Sequence, residues 1–123
     1  MPVATILLVD DEFLITEMMT DALADGGYEV VVANDGAEAL AIIDDDAVTI
    51  EALVTDVNMG AGADGWSVAR RARRQQPNLP VVYTTGGAAH EWAAHGVAAS
   101  ILVVKPFPVS QVLDALHGLL SVR

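Results

Sequence analysis

Three aspartates, one threonine and the only lysine of the chain each stand at or just after the end of a short apolar run: Asp10, Asp11, Asp56, Thr85 and Lys105. Carboxylates that are brought together repel one another, and a hard divalent cation such as Mg²⁺ relieves that repulsion. An ammonium group and a hydroxyl group can bind phosphate oxygens beside such a cation. One carboxylate can then act as the nucleophile and form an acyl phosphate. These residue types therefore suit metal-dependent phosphoryl transfer, provided that the fold brings them together.

The elements that would position these residues alternate regularly along the chain. Apolar, β-branched runs predict strands over 4–9, 28–33, 52–56, 81–85 and 100–104. Helical patterns run from residue 13 to the glycines at 26 and 27, over 37–43, 66–75 and 88–95, and from Pro108 onward. Strands alternating with helices predict an α/β fold, a parallel sheet between two helical layers. Right-handed crossovers then place the carboxyl ends of all strands, and the candidate residues with them, at one edge.

Composition limits the classes of function that this chain can have. A length of 123 residues without repeats or a linker predicts a single domain over 1–123. The net charge of −11 disfavours nucleic acid as a partner, because phosphate contacts need a basic surface. No apolar run is long enough for a membrane helix, and the absence of cysteine is compatible with a cytoplasmic location.

Four of the six basic residues are arginines at 70, 71, 73 and 74. We expect them to form the solvated face of a helix. A patch that docks a partner is the alternative.

Five short motifs occur in order along the whole chain: the run 6–12 that ends in Asp-Asp-Glu, the block 56–59, Asp64-Gly65, Thr85-Gly86 and Lys105-Pro106-Phe107. Together they resemble the CheY-like receiver domain of two-component response regulators. The resemblance implies a flavodoxin-like (βα)5 sandwich with a five-stranded parallel sheet of order 2-1-3-4-5. It also implies a phosphorylation switch rather than a metabolic enzyme.

The resemblance implies roles for individual residues. Asp56 would accept a phosphoryl group from a histidine kinase or a histidine phosphotransfer protein. Asp11 would bind Mg²⁺ directly, Asp10 largely through water, and Asp56 and the backbone carbonyl of Asn58 would complete the metal site.

Two further residues would act on the phosphoryl group itself. Thr85 and Lys105 would hold its oxygens and draw the neighbouring loops into the active state. The chain would catalyse only its own phosphorylation and slow hydrolysis. With no output domain expected, it would act as a stand-alone receiver, through contact with an unknown downstream protein or by phosphate relay.

Three positions depart from the family pattern. Gly60 replaces a common proline in a loop over 60–63 that is one residue longer than usual, so we expect a mobile loop. Leu102 stands where an aromatic switch residue is usual, so that switch mechanism does not transfer. Gly87, two residues after Thr85, offers no side chain to shield an acyl phosphate from water.

The same glycine-rich loop permits a rival interpretation. Gly60, Gly62 and Gly65 match the G-x-G-x-x-G pattern of dinucleotide-binding proteins, after a strand and before a helix. Nearby acids and the absence of an acid about 20 residues further on disfavour that class. A flavodoxin-type flavin carrier shares the fold, but its first strand would lead into a phosphate-binding loop. A degenerate receiver that only binds other proteins is the third alternative.

Overall fold

Five parallel strands form the central sheet of the computed structural model, which describes residues 3–60 and 62–121. The strands are β1 (Thr5–Val9), β2 (Glu29–Ala33), β3 (Ala52–Asp56), β4 (Val81–Thr85) and β5 (Ile101–Val104). Their order in the sheet is β2-β1-β3-β4-β5. The predicted fold class and strand order are therefore confirmed, and β3 and β4 have the bounds that the sequence predicts.

Five α-helices connect and follow the strands in the described ranges: α1 (Phe13–Asp25), α2 (Gly36–Asp44), α3 (Gly65–Gln75), α4 (Trp92–His95) and α5 (Val109–Ser121). The sequence predicts only a short, weak helix within 88–95, and the helix in the structure is short. A 3-10 turn, Ala89–Glu91, comes first, and α4 is only four residues long. The backbone after β4 therefore has little regular hydrogen bonding of its own, and side chains from other elements hold it.

The two faces of the sheet carry separate apolar layers, because successive strand side chains point to opposite faces. Ile6 and Leu8 of β1 pack with Leu23 of α1 and Leu116 of α5. On the other face, Leu7 and Val9 belong to a core with residues of α2 and α3. The three-layer sandwich follows from this alternation.

The first turn of helix α2 departs from its sequence pattern. The apolar spacing predicts that Ala37, Leu40 and Ile43 face inward; Ile43 is buried and Leu40 is half-buried, but Ala37 is exposed and Ala39 is buried instead. The cause lies at the first residue: a Cβ on Gly36 would come within 2.0 Å of the Ala63 carbonyl oxygen. This close backbone approach sets the phase of the helix, and a pattern of apolar residues does not report it.

Three of the four arginines of α3 bind other parts of the chain through their guanidinium groups. Arg71 pairs with Asp44 of α2 at 2.8 Å. Arg73 donates to the carbonyl oxygens of Leu79 and Ala98, and Arg70 donates to that of His95. Arg70 and Arg71 are exposed, as expected for a solvated helix face, but their guanidinium groups and that of Arg73 bind other parts of the chain; the docking patch stays an untested alternative.

No helix among the described residues is both long enough and apolar enough to cross a membrane.

Candidate functional site

The carboxyl edge of the sheet brings Lys105 against two buried aspartates. Asp10 follows β1, and Asp56 ends β3, the strand that pairs with β1. Asp10 is 2% exposed and Asp56 is 5% exposed. The Lys105 Nζ atom lies 3.4 Å from Asp56 Oδ2 and 3.7 Å from Asp10 Oδ2. A buried carboxylate needs such a partner, because burial penalises an uncompensated charge.

A group of four acids surrounds this edge. Asp10, Asp11, Glu12 and Asp56 each offer a carboxylate oxygen, and these oxygens lie within 4.8 Å of one another. Asp11 is exposed, so the group opens to solvent. Oxygen-only donor sets suit hard cations such as Mg²⁺. The chemistry of the donor set therefore fits the expected metal.

Glu12 belongs to this group but was given no role from the sequence. Its Oε1 lies 3.6 Å from Lys105 Nζ, and its backbone N–H donates to Asp10 Oδ1 at 2.9 Å. The signal that could have found it was its place directly after Asp10-Asp11 at the start of α1.

The pKa of Asp56 reflects the burial of its carboxyl group and the charges around it. Burial is the largest cause that raises the pKa of Asp56, to about 6, and the charge of Asp10 adds to it. Lys105 and the hydrogen bond from the Val57 N–H act in the opposite direction. Burial likewise raises the pKa of Asp10. A single ammonium group thus compensates these acids only in part, and a divalent cation would compensate them further.

The Lys105 ammonium responds to the same surroundings. Burial works to lower the pKa of Lys105, but the charges of Asp56, Asp10 and Glu12 outweigh it and the pKa is raised. Lys105 therefore remains a cation over the range of pH at which Asp56 titrates.

Thr85 and Asn58 are placed differently from the acids. Thr85 ends β4, next to β3, and is fully buried; its Oγ1 accepts a hydrogen bond from the Ala88 N–H at 2.9 Å. Asn58 is exposed in the loop after β3, between buried Val57 and Met59. The Thr85 hydroxyl group thus lies at the carboxyl edge of the sheet, as predicted, but it accepts a hydrogen bond from the loop that follows β4.

The glycines after β3 serve backbone packing. Gly60 and Gly62 have φ angles of 71° and 94°, in the left-handed region that favours glycine. A Cβ on Gly65 would lie 2.2 Å from the Asp56 carbonyl oxygen. The Gly65 N–H donates to the Val57 carbonyl oxygen at 2.9 Å. That N–H is therefore not free for a pyrophosphate. Ala61, inside the loop expected to be mobile, lies outside the described residues, and the mobility stays a prediction.

Comparison with known proteins agrees with this geometry. The family model of the response regulator receiver domain matches residues 6–117. The chain belongs to the response regulator receiver family. It is 33% identical over 120 residues to the response regulator protein FleR of Pseudomonas aeruginosa, covering 94% of this chain and 25% of FleR. It spans between a quarter and half of the length of the first curated relatives.

Solved structures of receivers superpose closely on this chain. A response regulator receiver protein from Sinorhizobium medicae is 40% identical, with a TM-score of 0.93 and coverage of 97% of this chain and 95% of the other. The response regulator TrrA of Thermotoga maritima, solved in complex with Mg²⁺-BeF, is 28% identical, with a TM-score of 0.81 and coverage of 95% and 99%.

The family assignment excludes two of the three alternatives that the sequence left open. Receiver domains are phosphorylation switches that accept phosphoryl groups from histidine kinases or phosphotransfer proteins, and they are not metabolic enzymes. The dinucleotide-binding and flavin-carrier interpretations are therefore wrong. The departure at Leu102 remains: this residue lies beside Tyr83 in the β4–β5 pairing and is only partly buried.

Proposed function

We propose that this receiver accepts a phosphoryl group on Asp56 from a histidine kinase or a histidine phosphotransfer protein. The observation that carries the proposal is the buried Asp56 carboxylate, 3.4 Å from the Lys105 ammonium group and within an oxygen-only group of acids. A carboxylate oxygen of Asp56 attacks phosphorus, and the phosphorus–nitrogen bond of the donor phosphohistidine breaks. The electron pair of that bond stays on the imidazole nitrogen of the donor.

The metal of this reaction would be Mg²⁺. Asp10, Asp11, Asp56 and the backbone carbonyl of Asn58 would hold it, and Glu12 offers a further carboxylate oxygen in the same group. Bound there, Mg²⁺ neutralises charge on the phosphoryl oxygens during transfer. The pKa values of Asp10 and Asp56 are raised, first because both carboxyl groups are buried, and a cation bound there would favour their charged forms.

Lys105 and Thr85 would bind the transferred group. The Lys105 ammonium pairs with one phosphoryl oxygen, and the Thr85 hydroxyl donates to another after turning toward Asp56. Water hydrolyses the acyl phosphate later and returns Asp56 to its carboxylate form. This sequence of events is a self-catalysed phosphotransfer followed by autodephosphorylation.

An apolar surface beside the site offers a docking area for the phosphodonor protein. Phe13, Leu14 and Met18 of α1 are 69%, 80% and 49% exposed. Met18 also lines a groove with Pro106 and Phe107, directly after Lys105. The groove also includes Glu12 and Lys105, and exposed apolar side chains beside these charged groups favour a protein donor over a small metabolite. The net charge of −11 disfavours nucleic acid as a further partner.

Action as a stand-alone single-domain receiver in the cytoplasm, with output through a downstream protein, stays a prediction. The degenerate receiver is the alternative, and one experiment separates the two. The purified chain is incubated with acetyl phosphate, with and without Mg²⁺, and its intact mass is measured. We expect one added phosphoryl group that requires Mg²⁺, is absent from Asp56→Asn, and is retained by the control variant Asp46→Asn, which changes an exposed acid. No adduct on the wild type would favour the degenerate receiver.

A further inference from the structure

Three side chains hold the backbone around the carboxyl end of α4. The Tyr83 hydroxyl oxygen accepts a hydrogen bond from the Val97 N–H at 3.0 Å. Arg70 Nη1 donates to the His95 carbonyl oxygen at 3.2 Å, and Arg73 Nη1 donates to that of Ala98 at 2.6 Å. Two of the anchors come from α3 and one from β4, so the end of α4 is tied to the core from outside its own helix.

The Tyr83 anchor is buried and packs against α3 through its ring. Tyr83 is fully buried on β4, and its ring packs edge-on against Trp66 of α3 with centroids 4.6 Å apart. Leu102, its neighbour on β5, has no polar atom that could take over this hydrogen bond. Among the described residues, the aromatic hydroxyl that reaches the α4–β5 connection therefore comes from β4 rather than from β5.

The amino-terminal end of the same segment has fewer attachments. The Ala88 N–H donates to Thr85 Oγ1, and the Ala88 methyl group is buried. Gly86 and Gly87, which join Thr85 to Ala88, are exposed, and a Cβ on Gly87 would contact nothing within 4 Å. Glycine backbones in open space can change conformation at low cost. Fewer side-chain hydrogen bonds hold this end than the carboxyl end.

We propose that segment 88–95 pivots about its carboxyl end when Asp56 is phosphorylated, with Tyr83, Arg70 and Arg73 as the fixed clamp. The proposal rests on the proposed function. A Thr85 hydroxyl that turns toward a phosphoryl group on Asp56 either leaves the Ala88 N–H or draws Ala88 with it. In both cases the change begins at Ala88, whereas the hydrogen bond of Val97 to Tyr83 persists. A receiver with leucine at position 102 can thus transmit its state without an aromatic switch on β5.

The test is residue-resolved amide hydrogen exchange of the whole chain by NMR, before and after phosphorylation with acetyl phosphate and Mg²⁺. We expect the Ala88 amide to change its chemical shift and its exchange rate, while the exchange rate of the Val97 amide stays within about 2-fold of its starting value.

A pair of variants tests the clamp without phosphorylation. Tyr83→Phe removes the hydroxyl and keeps the ring against Trp66, so exchange at Val97 should become roughly 2- to 10-fold faster, the loss expected for one hydrogen bond. Tyr28→Phe is the matched control, because the Tyr28 hydroxyl contacts His117 Nδ1 on α5 at 3.3 Å. This control should leave Val97 unchanged.

The outcomes separate the clamp, the pivot and the proposed function. Equal exchange at Val97 in wild type and Tyr83→Phe would overturn the clamp. The pivot is tested only in protein that intact mass shows to be phosphorylated. It would be overturned if the Ala88 amide kept its chemical shift and exchange rate, or if the exchange rate of the Val97 amide changed as much as that of Ala88. If no phosphoryl group is taken up, the proposed function fails and the pivot fails with it, whereas the Tyr83→Phe comparison still decides the clamp.

Discussion

At the scale of single residues, the ionised Asp56 carboxylate lowers the stability of the folded state at neutral pH. The pKa of this carboxyl rises from an ordinary 3.8 to about 6, first because it is buried and then because Asp10 is close. The folded state therefore binds this proton more tightly than the unfolded state. The resulting stabilisation is complete below pH 4 and is lost as the pH rises through the folded pKa of about 6.

This imbalance makes a prediction for Asp56→Asn in the absence of metal. The neutral amide should raise the free energy of unfolding at pH 7.5 by about 2–3 kcal/mol, because a shift of one pKa unit corresponds to about 1.4 kcal/mol. The gain should shrink toward zero near pH 4, where the Asp56 carboxyl is already protonated. Urea unfolding in the presence of a chelator at both pH values measures it. Asp114→Asn, an exposed acid on α5, is the control, and an equal gain at both pH values would contradict the argument.

Gly87 makes a second prediction at this scale. It is exposed two residues after Thr85, and a Cβ there would meet no atom within 4 Å, so a larger side chain fits without strain from neighbours. We expect Gly87→Glu to alter the lifetime of the acyl phosphate, because its side chain changes the access of water to the site. The decay of phosphorylated protein is followed by intact mass.

The control for this change is Gly118→Glu on α5, which also enters open space. A decay rate that is the same in wild type and Gly87→Glu would show that this position does not govern hydrolysis.

At the scale of elements, the junction between β3 and α3 is a close backbone contact beside the site. Gly65 begins α3 directly against the backbone of Asp56 and Val57, at a distance that leaves no room for a side chain. Asp64 caps the helix by accepting from the Ser67 N–H at 2.9 Å. The helix start and the candidate phosphoacceptor are therefore positioned by one another.

We predict opposite effects for alanine at two helical glycines. Gly65→Ala should lower the free energy of unfolding by about 1–3 kcal/mol, because its methyl group would collide with the Asp56 carbonyl. Gly118→Ala should raise it by about 0.5–1 kcal/mol, because this helical position has open space around it. Urea denaturation of both variants measures the difference. A Gly65→Ala variant as stable as the wild type would refute the close approach.

At the scale of the whole molecule, the seventeen acidic residues outnumber the six basic ones, so the excess negative charges repel one another. Added NaCl should stabilise the fold modestly by screening. At equal ionic strength, MgCl₂ should stabilise it further through specific binding, by about 2.7 kcal/mol at 100 times its Kd.

The variant Asp11→Asn should lose this difference between the two salts, and Asp46→Asn, an exposed acid away from the strand ends, should keep it. Thermal unfolding in matched salts provides the measurement. Equal stabilisation by NaCl and MgCl₂ in the wild type would argue against a metal site.

The sequence by itself determined the order of the elements and the residues that stand at the strand ends. The bounds of β3 and β4 could be predicted because buried strands are local apolar runs with clear breaks. The edge that gathers Asp10, Asp56 and Lys105 could be predicted because parallel strands and right-handed crossovers leave few topologies. The strand order came from the resemblance to receivers, and the structure has the same order.

Only the tertiary structure decided which side chains meet across distant segments. The phase of α2 depends on the contact between Gly36 and Ala63, which are far apart in sequence. Arg70 and Arg73 of α3 donate hydrogen bonds to carbonyl oxygens at and after the end of α4. Glu12 forms an ion pair with Lys105, and the Thr85 hydroxyl accepts a hydrogen bond from the loop after β4. No local period records such contacts, because they depend on the distances between elements after packing.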